Sequence, residues 1–436
     1  MKKILLLAAA AFFALAFSGC SAFETDTEAL MQPPSLTEEQ AKLNDALTSV
    51  IGDSFYLKYP QIEGSNSAFM FCDLDGDGSE EALAFYSAGD DSSGTRINIL
   101  RHSGGDWVSV YEAAGSTGDI SDVYFLDTGK EKLLVVKWDK EVGIYEFVSD
   151  RLEQLYMSPC DGIELADMNG DDVLDVLVFG GSYDNRCTAR ILYSGGDGME
   201  ISEAAYINAE YANIYSTAVG GLGDGRRGFF VDSKIYDNIY LTEVLVLEGK
   251  RTLRYTIASF IVEEEESSGT GFVISKRGMY ARNTAAVCTD IDGDGVIEMP
   301  VEIREDTVTT DSYDESRLYF IEYVKYDGTD ALPVWYGFAN GEDGYVFRLE
   351  KEWSDGVAIR YNADFDEYSF IDTEKGEEVL SIRSASAGAY RDIYEDNEVL
   401  AGKNGTKAFY VTVRAKEGDR YYISPESCKE RFTFVK

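Results

Sequence analysis

The sequence predicts a mainly β protein: a β-propeller of repeated blades followed by a small α+β domain. Three observations carry this. Short apolar runs of period two follow one another at regular spacing. An acidic nonapeptide recurs as DLDGDGSEE (73–81), DMNGDDVLD (167–175) and DIDGDGVIE (290–298), each copy just ahead of an apolar run. The composition, with Gly 41, Tyr 29, Phe 23 and Pro only 7, is that of strands joined by tight turns.

The first nineteen residues stand apart from the fold. Lys2 and Lys3 precede an apolar stretch, Ile4–Phe17, and Ser18-Gly19 lead to Cys20. Residues 1–19 read as a signal peptide. The end of the stretch resembles the lipobox of bacterial lipoproteins, although Phe17 replaces the usual Leu three places before the cysteine. The resemblance implies cleavage before Cys20 and a lipid on its sulfur. The protein would then hang from the outer face of a bacterial cell membrane, with residues 20–34 as tether. Fourteen apolar residues are short for a membrane span.

The formal net charge is −40, and loss of residues 1–19 removes two lysines and no acid, leaving −42. Nucleic acid is thereby excluded as a partner, since phosphate binding needs clustered Lys and Arg. Beyond Cys20, five cysteines remain (Cys72, Cys160, Cys187, Cys288 and Cys428), an odd number without a CxxC pair, which argues against a zinc knuckle. Cys72 and Cys288, each in an apolar run ahead of an acidic motif, read as buried thiols.

Residues 35–67 form an N-terminal helix and lead-in strand. The helix spans Ser35–Ile51, with Ser35 and Glu38 as a capping box and Leu43, Ala46, Leu47 and Val50 on one face. Strands follow at ALAFY (82–86), INIL (97–100), WVSVYEA (107–113), KLLVVKW (132–138) and GIYEFV (143–148), separated by turns such as HSGGD (102–106) and VSDRL (148–152).

The nonapeptides select a propeller from among the all-β folds. Each ends where a strand begins, and two eroded copies, YFLDTGKEK (124–132) and GGLGDGRRG (220–228), fill the gaps. The ninth positions, 81, 132, 175, 228 and 298, step by 51, 43, 53 and 70 residues, close to the length of a four-stranded blade. An acidic insert, EEEESSGTG (263–271), lengthens the last step and reads as an exposed loop. Five blade-like units span about 68–340. Residues 341–436 form the α+β domain, with a helix start at Ser424-Pro425-Glu426 and Trp353, Tyr361 and Phe370 as core or sheet-face aromatics.

Positions 1, 3, 5 and 9 of each nonapeptide carry oxygen ligands: Asp73, Asp75, Asp77 and Glu81; Asp167, Asn169, Asp171 and Asp175; Asp290, Asp292, Asp294 and Glu298. Carboxylates so closely packed repel unless a cation sits among them. Oxygen donors without His or Cys favour Ca²⁺. The carbonyl of position 7 (Ser79, Val173, Val296) is a natural further ligand. Gly78 and Gly295 at position 6 suit the positive φ of a sharp turn, and Asp172 takes that place in the middle copy. An EF-hand would need Glu at position 12, where Ala84, Val178 and Val301 stand.

DxDGDGxxE before a strand, repeated about every fifty residues, resembles the FG-GAP/VCBS repeats of integrin-α-like β-propellers. The resemblance implies Ca²⁺ held in these loops, bracing the blade. The order of lipobox, helix, propeller repeats and small final domain also resembles surface lipoproteins of Firmicutes. A binding or scaffold module for a glycan or protein ligand is the function these readings favour. The alternative is a secreted hydrolase acting on polysaccharide or ester. Against it stand the absence of GxSxG, P-loop and HExxH motifs and a sole histidine, His102, placed in a turn. No catalytic residue is therefore assigned.

Overall fold

The structure, a computed structural model, describes residues 37–61, 67–89, 94–116, 118–180, 187–196, 198–207, 213–236, 239–248, 252–255, 281–303, 319–326, 331–388 and 397–435. The signal peptide, the tether with Cys20, Ser35 and the insert 263–271 lie outside these. The chain divides into two compact units, residues up to 119 with 149–151, and 120–148 with 152 onward.

The first unit opens with helix α1 (Glu38–Ile51), which is capped by Thr37 rather than by Ser35. Thr37 Oγ1 accepts from Gln40 N at 3.2 Å, and Gln40 Oε1 accepts from Thr37 N at 3.0 Å. Each satisfies a donor that the first helical turn leaves open. Leu43 and Leu47, one turn apart, are fully buried, whereas Val50 is 58% exposed and so leaves the expected apolar face. The helix covers a sheet of β1 (Phe55–Lys58), β2 (Phe69–Cys72), β3 (Glu81–Ala88), β4 (Arg96–Ser103) and β5 (Asp106–Ala114). Its leucines pack on Phe69, Ala82, Ala84, Leu100 and Trp107. β1 and β2 share one edge of β3, pairing with its second and first halves respectively. Gly104 and Gly105, at φ +64° and +97°, make the two-residue turn between β4 and β5.

Among its described residues the second unit contains five further antiparallel sheets. The second sheet is β6 (Ile120–Asp127), β7 (Lys132–Trp138), β8 (Glu141–Val148) and β9 (Arg151–Pro159) in that order. The third is β10 (Gly162–Ala166), β11 (Asp175–Gly180), β12 (Cys187–Gly195) and β13 (Gly198–Ile201), with β14 (Ala205–Ile207) also on β12. The fourth is β15 (Asn213–Gly221), β16 (Arg227–Tyr236), β17 (Ile239–Glu248) and β18 (Thr252–Tyr255), with β19 (Ala281–Arg282) on β17. The fifth begins with β20 (Met299–Ile303), β21 (Phe320–Tyr326), β22 (Ala331–Asn340) and β23 (Tyr345–Arg348). The sixth runs β24 (Val357–Asn362), β25 (Glu367–Asp372), β26 (Glu377–Ser386), then β28 (Lys407–Val413) and β27 (Glu398–Asn404). A 3-10 turn at Pro425–Ser427 leads into helix α2 (Cys428–Arg431). The chain then returns to the fifth sheet, where β29 (Phe432–Phe434) pairs with β23. Residue 341, where the sequence suggests a boundary, lies in the turn between two paired strands of one sheet.

The second to sixth sheets stack face to face in chain order. Val176 and Val178 of β11 pack on Val135 and Ile144 of the second sheet, while Leu177 and Phe179 point the other way, onto Phe229 and Val231 of the fourth. Phe230 and Val244 meet Met299 and Val324 of the fifth. Phe338, Tyr345 and Phe347 meet Ile359, Phe370 and Phe409 of the sixth. Burial on both faces explains why DVLVFG and GFFVD are unbroken apolar runs rather than alternating ones. Trp353 and Phe370 are buried, with Tyr361 packed against the same cluster. Cys160, Cys288 and Cys428 are buried, whereas Cys72 is only half-buried, a departure from the expected buried thiol.

Candidate metal centre

The three nonapeptides occupy one topological place. Residues 73–81 connect β2 to β3, 167–175 connect β10 to β11, and 290–298 connect a single bridge, Thr289 to Glu298, to β20. The eroded copies, 124–132 and 220–228, likewise contain the turns that join β6 to β7 and β15 to β16.

The local conformation follows from the residue types. The first carboxylate of each loop caps its turn: Asp73 Oδ1 accepts from Gly76 N at 2.7 Å and Oδ2 from Gly78 N at 3.2 Å. Asp167 holds Gly170 N at 2.7 Å and Asp172 N at 3.0 Å, and Asp290 holds Gly293 N at 2.7 Å and Gly295 N at 2.8 Å. Position 6 has φ of +90° at Gly78 and +83° at Gly295. Asp172 adopts the same region at +64°, so the middle loop keeps the turn without glycine. The position-9 carboxylate reaches back to the second residue of the loop. Glu81, Asp175 and Glu298 accept from Leu74 N, Met168 N and Ile291 N at 2.9, 2.8 and 3.0 Å.

The structure therefore brings positions 1, 3 and 9 together in the first loop, where oxygens of Asp73, Asp75 and Glu81 lie within 4.8 Å of one another. In the third loop it gathers Asp290, Asp292 and Asp294 within the same span. Oxygens around one Ca²⁺ at about 2.4 Å stand at most about 5 Å apart, so both groups fit a hard divalent ion. Asp77 is exposed, and its Oδ1 is used by Ser79 N at 2.7 Å. Asp171 likewise bonds Val173 N at 2.9 Å, and Asn169 Oδ1 bonds Asp171 N at 2.9 Å.

Two electrostatic facts mark the sites. Burial pushes the Asp175 carboxyl up to about 7, with Asp171 and Asp167 adding repulsion against the opposing Met168 N–H bond. Burial raises Glu298 to about 7 as well, against its bond from Ile291 N. Glu298 is fully buried and its Oε1 makes no hydrogen bond, although an ammonium lies 3.4 Å away.

That ammonium belongs to Lys325 on β21, and the first loop has a counterpart in Arg101 on β4. The sequence reading missed both. Their signal is register: each stands directly across the hairpin from the position-9 acid, which is evident only once the strands are paired. His102 sits at the end of β4 rather than within a turn, its ring 3.9 Å from that of Trp107 and its Nε2 3.5 Å from Glu39 Oε1.

Antiparallel sheets of four or five strands, five of which carry the recurring loop or its eroded copy and the last five of which stack in chain order, define a protein of the β-propeller class. No protein-family model and no curated protein matches the sequence. Among solved structures the chain is similar to Sqt1 from Saccharomyces cerevisiae, at 8% identity over 77% of this chain and 93% of that one, with a TM-score of 0.30. It is also similar to Sqt1 from Chaetomium thermophilum, at 12% identity over 70% and 78% of the two chains, with a TM-score of 0.26. A third is the WD40 domain of SCAP from fission yeast, at 7% identity over 84% and 73%, with a TM-score of 0.28.

Proposed function

We propose that the chain is a lipid-anchored, extracytoplasmic, calcium-binding β-propeller of FG-GAP/VCBS type that serves as a binding or scaffold module for a glycan or protein. The observation that carries this is that an acidic loop recurs at the same strand junction in each of three sheets, with the oxygens of the first and third loops gathered at metal-ligand spacing. Ca²⁺ held by Asp73, Asp75 and Glu81, by Asp167, Asn169 and Asp175, and by Asp290, Asp292, Asp294 and Glu298 would tie each loop to the strand it enters. It would also offset carboxylate repulsion in a chain of charge −40. The lipid on Cys20 rests on the sequence alone.

Thermal unfolding in millimolar Ca²⁺ and in EDTA tests the calcium reading. A ligand present at about 100 times its Kd stabilises by about 2.7 kcal/mol, which for a chain this long raises Tm by about 3 °C. Asp167→Ala, Asp73→Ala and Asp290→Ala should each remove part of that rise. Equal melting in the two buffers would reduce the loops to turns. Membrane retention of a Cys20→Ala variant, compared with wild type, tests the anchor; unchanged retention would overturn it.

A further inference from the structure

The first and third loops already hold a positive charge. Ala82 pairs with Leu100 and Met299 with Val324, so Glu81 faces Arg101 and Glu298 faces Lys325 across their hairpins. Arg101 Nε donates to Glu81 Oε1 at 3.0 Å, Nη2 to Asp75 Oδ2 at 2.5 Å and Nη1 to Asp150 Oδ1 at 2.7 Å. Lys325 Nζ donates to Asp294 Oδ2 and lies 3.4 Å from Glu298 Oε1 and 3.6 Å from Asp292 Oδ2. The middle loop differs. Val176 pairs with Leu192, which sets Tyr193 across from Asp175, and the Tyr193 hydroxyl donates to Glu200 Oε2 at 3.1 Å. Among the described residues, Asp167, Asp171 and Asp175 form no ion pair with Lys or Arg.

We propose that Arg101 and Lys325 are resident cations that compete with a divalent ion for the first and third loops. The first and third loops then fill only as the side-chain cation is displaced, whereas loop 167–175 has no such cation to displace. The proposal rests on the calcium reading above. Asp75 is common to the first oxygen group and the Arg101 contacts, and Asp292 and Asp294 to the third group and the Lys325 contacts. A divalent ion and a side-chain cation a few ångströms apart in one loop repel strongly. The two cations also differ in hold. The Arg101 fork makes directed hydrogen bonds to two loop carboxylates, whereas Lys325 is a point charge on a flexible stem that leaves the buried Glu298 Oε1 without a hydrogen bond. That orphaned acceptor points to a better-fitting cation than the ammonium. The third loop therefore yields before the first.

Calorimetric titration of the full chain with CaCl₂, beside melts in EDTA, tests this on wild type, Lys325→Met and Arg101→Met, with Lys325→Gln as a second variant if the first folds poorly. Lys325→Met is expected to melt below wild type in EDTA, to bind Ca²⁺ at one site about tenfold or more tightly, and to recover the lost stability when calcium is added. Identical titrations of wild type and the Lys325 variants would overturn the proposal, as would weaker binding by them. Calcium binding by Lys325→Met but not by wild type would sink the calcium reading for the natural chain and leave the competition standing. Binding by neither would remove both.

Discussion

Arg282→Met should destabilise the protein by about 3–5 kcal/mol, the cost of leaving a buried charge without its partner. Arg282 and Asp232 are 0% and 1% exposed. The guanidinium donates from Nη2 to Asp232 Oδ1 at 2.7 Å, from Nη1 to Thr242 Oγ1 at 2.8 Å and from Nε to Ala286 O at 2.9 Å. Asp232 Oδ2 accepts from Cys288 N at 2.7 Å. Burial, the largest single influence, would lower the Arg282 pKa, but the charge and hydrogen bond of Asp232 together with Cys288 and Tyr323 outweigh it and hold the guanidinium above its ordinary value. The same surroundings push the Cys288 thiol well up, first through burial and then through Asp232. The network ties β16, β17 and β19 to the segment entering the third acidic loop, so its loss is expected to loosen residues 286–298 first. Urea unfolding of Arg282→Met, Asp232→Asn and the double variant reads the coupling. The double variant should lose clearly less than the two single losses combined, because no ion is then left unpaired. Additive losses would show that the pair contributes packing only.

The second large effect is on pH. In EDTA, stability should fall as pH rises from about 4 to about 7 and then level off. Asp175 and Glu298 have ordinary values of 3.8 and 4.5, and both are raised to about 7 in the fold, chiefly by burial. The native state thus holds their protons more tightly than the unfolded chain does. The favourable contribution is complete below the unfolded values and is lost as pH climbs through the folded ones. Each group accounts for on the order of 3 kcal/mol. Repulsion within a chain of charge −40 slopes the same way, so the test is the difference between wild type and Asp175→Asn or Glu298→Gln in urea melts at pH 5 and pH 8. The variants should show the shallower dependence, and millimolar Ca²⁺ should flatten that of wild type by favouring the ionised carboxylates. Equal slopes in wild type and variants would mean that neither acid titrates in this range.

The sheets were legible because their inner strands are short apolar runs and because an acidic turn marks the entry to each of five. What escaped the sequence depends on pairings between distant segments. Arg101 and Lys325 look like ordinary strand-end charges until register sets them opposite Glu81 and Glu298. Asp232 and Arg282 meet across fifty residues with no local pattern to announce them. The helix cap is ambiguous in the sequence for a local reason: Ser35/Glu38 and Thr37/Gln40 both have capping-box spacing, and in the structure the second pair closes reciprocal bonds. Residue 341 looked like a boundary because the texture of the sequence changes there. β23 nevertheless continues the sheet of β22, and its outer neighbour is a three-residue strand too short to read as one.

That three-residue strand has a consequence for synthesis. The whole sixth sheet, 357–413, is threaded between β23 and the strand that pairs with it, at 432–434. As the chain emerges from the ribosome, the first four strands of the fifth sheet can assemble early, but the outer rim of β23 waits for some eighty further residues. Throughout that interval it offers open backbone donors and acceptors to any passing extended segment. A nascent chain stalled anywhere between 349 and 431 therefore carries a sticky rim that the finished chain conceals, and trimming residues 432–434 would make that transient hazard permanent.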